Sequence, residues 1–149
     1  ADLPEEARFD TITAFDVLEH VIDPVEFLAE IRQRLVPGGT VVIAVPNLQS
    51  VSRMLMGRRW YFYIPEEHLH YFTPSSLRKL LGKTGLQPIR MKRTYKPLTF
   101  DYSLRQLEEY NPWIFRGLNL VVRVLPSALR QKSIPLFIGE LLVVATKES

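Results

Sequence analysis

The chain has no cysteine among its 149 residues. This absence excludes a disulfide framework and a thiolate metal site, so a cytoplasmic protein is the expected class. The sequence also contains no internal repeat and no low-complexity segment. With 46% apolar residues it can build a core of its own. We expect one compact unit over residues 1–149.

A long uncharged apolar run is missing too. The most apolar stretch, Trp113 to Leu129, carries Arg116 and Arg123, and such charges are costly inside a bilayer. With Arg130 they repeat every seven residues and share one face of a helix. We expect a helical lid packed on the core. A basic helix that lies on an anionic membrane or covers a lipophilic substrate is the alternative.

The net charge of +3 conceals an asymmetry along the chain. Residues 1–50 hold 9 acids and 3 bases, a balance of −6, whereas residues 51–149 hold 7 acids and 16 bases, a balance of +9. The basic half can attract phosphates or anionic lipid. Solvated Lys and Arg on helix and strand surfaces explain the same excess more simply.

The most regular pattern in the chain runs from Phe9 to Asn47. Ile12 and Ala14 alternate with threonines, which predicts a short strand. Asp23 then supplies a helix N-cap in front of a proline at the first helical position. Apolar residues at three- and four-residue spacing predict the buried face of this helix: Phe27, Leu28, Ile31 and Leu35.

The helix is expected to stop at Pro37-Gly38-Gly39, and Val41 to Val45 reads as a strand covered on both faces. A strand, helix and strand in this order imply a right-handed parallel crossover, which brings the carboxyl ends of both strands to one rim of the sheet. Open α/β sheets bind ligands at that rim. The loop Phe15 to His20 and the pair Pro46 and Asn47 are delivered there.

A second informative block, WYFYIPEEHLHYF, spans Trp60 to Phe72. Thr73 and Pro74 then begin a helix that buries Leu77 and its apolar neighbours and ends at Gly85. The block is therefore a loop that enters a helix. Loops with histidines, acids and aromatic residues beside a ligand rim are typical of sites.

Two further strands are predicted towards the C terminus. Gln87 to Tyr95 carries a proline and several charges, which suits an edge position. Glu140 to Thr146 is apolar enough to be buried. Residues 98–139 between them read as a helical insertion.

Two segments carry a resemblance to a known family. FDTITAFDVLEHVIDPVEFLAEIRQRLVPGGTVVIAVPN resembles the fourth-strand to fifth-strand unit of class I S-adenosylmethionine (SAM) dependent methyltransferases, and P-E-H-x-H-Y-F-T-P resembles a segment after the fifth strand in their UbiG-like, small-molecule branch. The resemblance implies an α/β fold with a partial Rossmann-like sheet. Its strand order would be fourth, fifth, seventh, sixth, with the last strand antiparallel, flanking helices and a helical insertion.

The same family opens with a strand and a D-x-G-x-G-like loop that holds the cofactor, and these 149 residues contain no such loop. We therefore interpret residues 1–149 as the C-terminal half of a methyltransferase domain. SAM is the implied cofactor of the intact enzyme, and we do not expect this half to bind it well alone.

The resemblance also assigns residues to the two sides of a site. The loop after the fourth strand passes along the cofactor, so Phe15, Asp16, Val17 and Leu18 are the cofactor-side candidates, with packing against the helix as the alternative for Val17 and Leu18. Residues at the second strand end and in the aromatic block are the substrate-side candidates: Asn47, Trp60, Tyr63 and Tyr71. A cyclopropane-forming relative would carry a histidine where Pro46 and Asn47 stand, so O-, N- or C-methylation is favoured.

Catalytic candidates are the acid-histidine pair Glu19 and His20 and the histidines of the aromatic block. His68 or His70 is a candidate general base, because methyl transfer often requires removal of a proton from the acceptor. Structural roles remain alternatives: His20 capping or packing beside Asp23, and one block histidine bonded to backbone with the other exposed. The spacing of His68, His70 and Glu67 is nonspecific, and no metal site is predicted.

The predicted function is SAM-dependent methylation of a small-molecule acceptor, this chain supplying the substrate-side half. A basic, aromatic binding module for anionic lipid or nucleic acid is one alternative, and a non-catalytic oligomerising fragment is another. The open edge of the first strand predicts a homodimer. Peripheral membrane contact is compatible with the sequence, and no nucleic-acid partner is expected because no recognition motif is present.

Overall fold

A computed structural model describes residues 4, 6–99, 108, 112–124, 126–131 and 133–148. In chain order its elements are β1 (Phe9–Phe15), α1 (Pro24–Arg34), β2 (Leu35–Pro46), α2 (Val51–Met56), a 3-10 turn (Gly57–Arg59), α3 (Pro74–Lys83), β3 (Leu86–Thr99), α4 (Pro112–Arg123), α5 (Ser127–Arg130) and β4 (Ser133–Lys147).

The four strands form one mixed sheet with the order β1-β2-β4-β3. β1 and β2 are parallel, and β4 runs antiparallel to both β2 and β3. The expected α/β fold is confirmed. Because β1 and β2 are parallel, their carboxyl ends meet at one rim, where Phe15 lies beside Ala44.

Side-chain caps fix the starts of α1 and α3. The Asp23 carboxylate accepts hydrogen bonds from the amides of Val25 at 2.8 Å and Glu26 at 3.1 Å, which satisfies amides without a partner inside the helix. Thr73 and Ser76 form a reciprocal capping box at α3. Both predicted helix starts are confirmed.

The core lies between these two helices and one face of the sheet. Leu28 and Ile31 of α1 and Leu77 and Leu81 of α3 are buried, as their spacing predicted. They pack with buried strand residues of the same cluster, among them Ala14, Val41, Ile43, Val143 and Ala145. Burial of this apolar surface is the main favourable term in folding.

Two predicted boundaries are wrong. Leu35 does not close α1 but begins β2, since its backbone is extended and it pairs with Phe9; the predicted start of that strand at Val41 was therefore late. The expected insertion 98–139 is shorter, because residues at both of its ends extend the β3–β4 ladder as far as the pair Thr99 and Ser133.

The apolar stretch, which lies within the insertion, is helical as expected, but part of its apolar surface does not pack on the core. Trp113, Leu120 and Val121 of α4 are exposed, whereas Val122 is buried. In the described part of the chain, no helix is long and apolar enough to cross a membrane.

Candidate functional site

Three chain segments meet at the carboxyl rim of β1 and β2. The amide of Leu48 donates to the Phe72 carbonyl at 2.8 Å, and Asn47 forms a parallel bridge with Phe72. The amide of His70 donates to the Glu19 carbonyl at 3.1 Å. The aromatic segment 60–72 is thus attached to the loops that follow both strands.

His20 stands at the junction of these segments. Its Nδ1 lies 2.8 Å from the Glu67 carbonyl oxygen, and a carbonyl can only accept, so Nδ1 carries the proton. In the neutral ring Nε2 then has the free lone pair. Nε2 lies 4.0 Å from Oε1 of Glu19, and 39% of the His20 side chain is exposed.

His68 is buried and contacts His20. The two imidazole rings meet edge to face, with 4.7 Å between their centroids. The Nδ1 of His68 donates to the Phe62 carbonyl at 2.8 Å. Burial lowers the pKa of His68, and the Phe62 hydrogen bond opposes this shift only partly. The ring therefore favours its neutral form.

Glu19 is fully buried, and neither carboxylate oxygen has a hydrogen-bond partner among the described residues. Burial raises the pKa of Glu19, and the nearby Asp16 and Glu140 carboxyls act in the same direction. Its own backbone amide and His20 oppose the rise. A buried carboxyl beside a histidine can exchange a proton with it.

His70 has a different environment. Its Nε2 lies 3.3 Å from the Ile22 carbonyl, so this nitrogen is the donor. Its ring lies 6.2 Å from the ring of Phe72. These contacts tie the aromatic segment to the β1 loop through both the backbone and the side chain of His70.

The group of side chains that could hold a metal ion differs from the set His68, His70 and Glu67 considered from the sequence. Glu19, His20 and His68 each offer one donor atom, and these atoms lie within 4.8 Å of one another. His70 and Glu67 do not belong to this group. The three side chains can share a proton or hold a cation, and they come from two loops of the chain.

The predicted cofactor side divides into exposed and buried residues. Phe15 is 53% exposed and Val17 is also exposed, so both offer apolar surface at the rim. Asp16 has a φ of +52°, which is uncommon for a residue other than glycine and marks a constrained turn. Leu18 is buried in the core, so for Leu18 the packing alternative describes its position.

The predicted substrate side is also divided. Tyr63 and Tyr71 stack with 5.4 Å between their ring centroids. Burial raises the pKa of Tyr71, with the Tyr63 hydroxyl acting in the same direction. Trp60, by contrast, is only 1% exposed and donates its indole N–H to Ser52 at 3.2 Å. Trp60 supports the segment from inside and has no surface for a substrate.

A cavity of about 340 Å³ opens next to Asn47, which is itself buried. Its lining combines polar and apolar groups: Asn47, Ser50, Val51, Ser52, Leu55, Arg93, Gly139 and Glu140. Glu140 is buried and was missed as a site residue, because the sequence showed it only as the start of an apolar strand. The signal in the sequence that could have identified Glu140 is the position of an acidic residue at the start of a strand predicted to be buried.

Comparison with known proteins decides the family. Residues 1–90 match the family model described as a methyltransferase domain. The chain belongs to this methyltransferase family. The matched residues include both β1 and β2, the Glu19–His20 loop and the whole aromatic segment.

Curated relatives of this methyltransferase chain include the ubiquinone biosynthesis O-methyltransferase of Cereibacter sphaeroides. It is 32% identical over 104 residues, which are 65% of this chain and 42% of the relative. The protein of the same name from Aliivibrio fischeri is 30% identical over 110 residues, 69% of this chain and 47% of the relative. The chain thus spans less than half the length of these relatives.

Solved structures share the fold of the methyltransferase chain. A SAM-dependent methyltransferase of Thermotoga maritima aligns with a TM-score of 0.58 at 16% identity, over 99% of this chain and 60% of that protein. The 1,6-didemethyltoxoflavin-N1-methyltransferase of Burkholderia thailandensis aligns with a TM-score of 0.53 at 18% identity, over 99% of this chain and 48% of that protein. At these identities the likeness supports the fold alone.

Proposed function

We propose that the full-length protein carrying these residues transfers a methyl group from SAM to a small-molecule acceptor, and that this chain forms the acceptor side of the site. The observation that carries the proposal is the buried Glu19 carboxyl beside His20 at the carboxyl rim, in a chain of the methyltransferase family. A site of this kind combines a proton acceptor with a group that stabilises the resulting charge.

The chemistry asks little of the protein beyond positioning and proton removal. SAM supplies an electrophilic methyl group when it is bound. As the methyl group is transferred, the hydroxyl proton of the acceptor would pass to a base of this chain, and S-adenosylhomocysteine would leave. Exposed Phe15 and Val17 offer apolar surface suited to the methionine and adenine parts of the cofactor.

We assign the base to His20. Its Nδ1–H is held by the Glu67 carbonyl, which leaves Nε2 as the acceptor, and part of the ring is exposed. The Glu19 carboxylate, 4.0 Å away, favours the imidazolium that forms. His68 packs against the ring and restricts its orientation, so His68 is a positioning residue. His70 contributes to the attachment of the segment.

A hydroxyl on a planar, aromatic acceptor suits this site best. The relatives named above are O-methyltransferases, and the stacked Tyr63 and Tyr71 provide aromatic surface beside the histidines. The adjacent cavity adds Asn47 and Glu140 as acceptors for further hydroxyl groups of the same molecule. The basic excess of the chain contains no nucleic-acid recognition motif, so the binding-module alternative is not favoured.

The proposal is tested by incubating the full-length protein with SAM and matched panels of mono- and dihydroxy aromatic compounds and their amine analogues. With hydroxyl acceptors we expect a methylated product and an equal amount of S-adenosylhomocysteine. Methylation of amines alone would contradict the assignment of a hydroxyl acceptor. Formation of neither product with any acceptor, by a protein shown to bind SAM, would contradict the proposed function.

A further inference from the structure

Helix α4 presents an apolar stripe to solvent. Trp113, Leu120 and Val121 of this helix and Val124 directly after it are exposed, Trp113 to 71% and Val124 to 80%. Their spacing places all four on one side of a helix. Val122 on the other side is buried. A surface helix of a globular protein normally turns its apolar side inward, so this outward stripe indicates a binding surface.

The chain around the stripe is basic. Residues 110–139 contain four bases and no acid: Arg116, Arg123, Arg130 and Lys132. Positions 116 and 123 follow each other along the helix at the edge of the stripe. The Arg116 guanidinium lies 5.5 Å from the centre of the Trp113 ring. Tryptophan beside a cation is a combination that suits the headgroup level of a membrane.

The β3–β4 ladder, whose connection contains this helix, runs past the rim of the sheet. β2 ends at Pro46, opposite Glu140, but the β3–β4 ladder continues to the pair Thr99 and Ser133. Seven more residues of β4 correspond to about 23 Å if the strand is straight. The connection that closes this two-stranded arm contains α4. The exposed stripe therefore belongs to the connection between two strands that leave the sheet at the end where the candidate site lies.

We propose that α4 docks the protein on the surface of an anionic lipid bilayer. The exposed stripe would enter the headgroup and acyl boundary while the basic flank meets anionic headgroups, which is the binding mode of interfacial helices. A span is excluded for α4 by its 12 residues. A second copy of the chain fits less well, because a two-fold contact through the stripe would bring two basic flanks together.

Docking through α4 would place the site rim near the membrane surface, where a lipophilic acceptor resides. The inference does not depend on methyl transfer, because it rests on exposure, charge and topology alone. Its failure would leave the proposed chemistry untouched, and loss of activity would leave lipid binding measurable.

The two tryptophans provide a direct test. Trp60 is buried and Trp113 is exposed, so a change in the environment of α4 appears in Trp113. Vesicles of phosphatidylcholine with about 30% phosphatidylglycerol should shift the emission to shorter wavelength, and brominated lipid in the same vesicles should quench it. Pure phosphatidylcholine should bind at least about tenfold more weakly, and rising salt should weaken binding to the anionic vesicles.

Matched variants distinguish binding through the stripe from nonspecific binding of exposed apolar or basic residues elsewhere. Leu120→Ser should lower vesicle binding several-fold, whereas Ile89→Ser, at another exposed apolar position on β3, should not. Arg116→Gln should weaken binding to anionic vesicles more than Lys79→Gln on α3. Equal binding to neutral and anionic vesicles, or equal effects within both pairs, would overturn the proposal. A Leu120→Ser effect on self-association without one on vesicle binding would assign the stripe to a second copy.

Discussion

The rings of His20 and His68 meet edge to face with 4.7 Å between their centroids. Each ring donates its Nδ1–H to a main-chain carbonyl, His20 to Glu67 and His68 to Phe62. Both rings are therefore held in the tautomer that leaves Nε2 as the acceptor. This shared arrangement is the structural basis of the proposed proton transfer.

The α1 face can be tested by one substitution. Leu28→Ala should lower the free energy of unfolding by about 2–5 kcal/mol, because Leu28 is fully buried and its removal leaves a cavity in the core. Val25→Ala on the exposed side of the same helix should cost less than about 1 kcal/mol. Denaturant titration compares the two, and equal losses would mean that the buried face is misassigned.

Burial of Glu19 makes stability depend on pH in a defined direction. Because the pKa of Glu19 is raised above 4.5, the folded state binds more protons than the unfolded state between 4.5 and the raised value, so its contribution to stability falls as pH rises through that window. Glu19→Gln should remove this slope. The exposed Glu26→Gln serves as control.

Thermal unfolding of wild type and both variants from pH 4 to pH 8 measures the effect. As pH rises, the unfolding temperature of Glu19→Gln should increase relative to that of wild type. If the difference in unfolding temperature is the same at every pH in this range, burial does not raise the pKa of Glu19.

Residues 1–149 by themselves should bind SAM poorly. They contain no D-x-G-x-G-like loop, whose backbone amides supply much of the orientation of the cofactor in the family that the chain resembles. Calorimetry with SAM or S-adenosylhomocysteine should show a Kd above about 1 mM. Micromolar binding by these residues would show that the rim residues suffice.

Strand β1 is expected to pair with a second copy of the same residues. Among the described residues its only strand neighbour is β2, and Thr11, Thr13 and Phe15 are exposed. Light scattering over a concentration series should reveal a dimer, with slow amide exchange in residues 11–15. A monomer at high micromolar concentration whose β1 amides exchange rapidly would exclude this contact.

Local signals made much of the fold predictable. Asp23 and Thr73 cap their helices through hydrogen bonds to amides two or three residues away, and such spacing is readable in a sequence. Leu28 and Ile31 were identified by helical periodicity. These features depend on neighbours along the chain, so tertiary structure was not needed to find them.

The projecting arm was not predictable in the same way. The sequence analysis placed residues 98–139 in a helical insertion, and the neighbouring Pro97 and the enclosed Pro135 are residues that cannot donate to a ladder. The structure pairs these two prolines across β3 and β4, beyond the end of β2, where both strands are edges. An edge strand tolerates proline, but the sequence does not show where an edge lies.

The candidate site residues were identified from the sequence, but their spatial arrangement was not. Glu19, His20, His68 and His70 were all identified as candidates from residue type and resemblance. Which histidine of the aromatic segment contacts His20 depends on how that segment crosses the rim, because His20 and His68 are nearly fifty positions apart in the chain. The burial of Trp60, a substrate-side candidate, was not readable for the same reason, since it follows from packing behind that segment.

Single-turnover methyl transfer by a His20→Gln variant of the full-length protein tests the central proposal most directly. We expect the rate of the chemical step to fall about a hundredfold or more with SAM affinity unchanged. His68→Gln should show a smaller loss, and His70→Gln should remain within about threefold of wild type if its fold is intact. An unaltered rate in His20→Gln, with SAM and acceptor bound as in wild type, would contradict the assignment of the base.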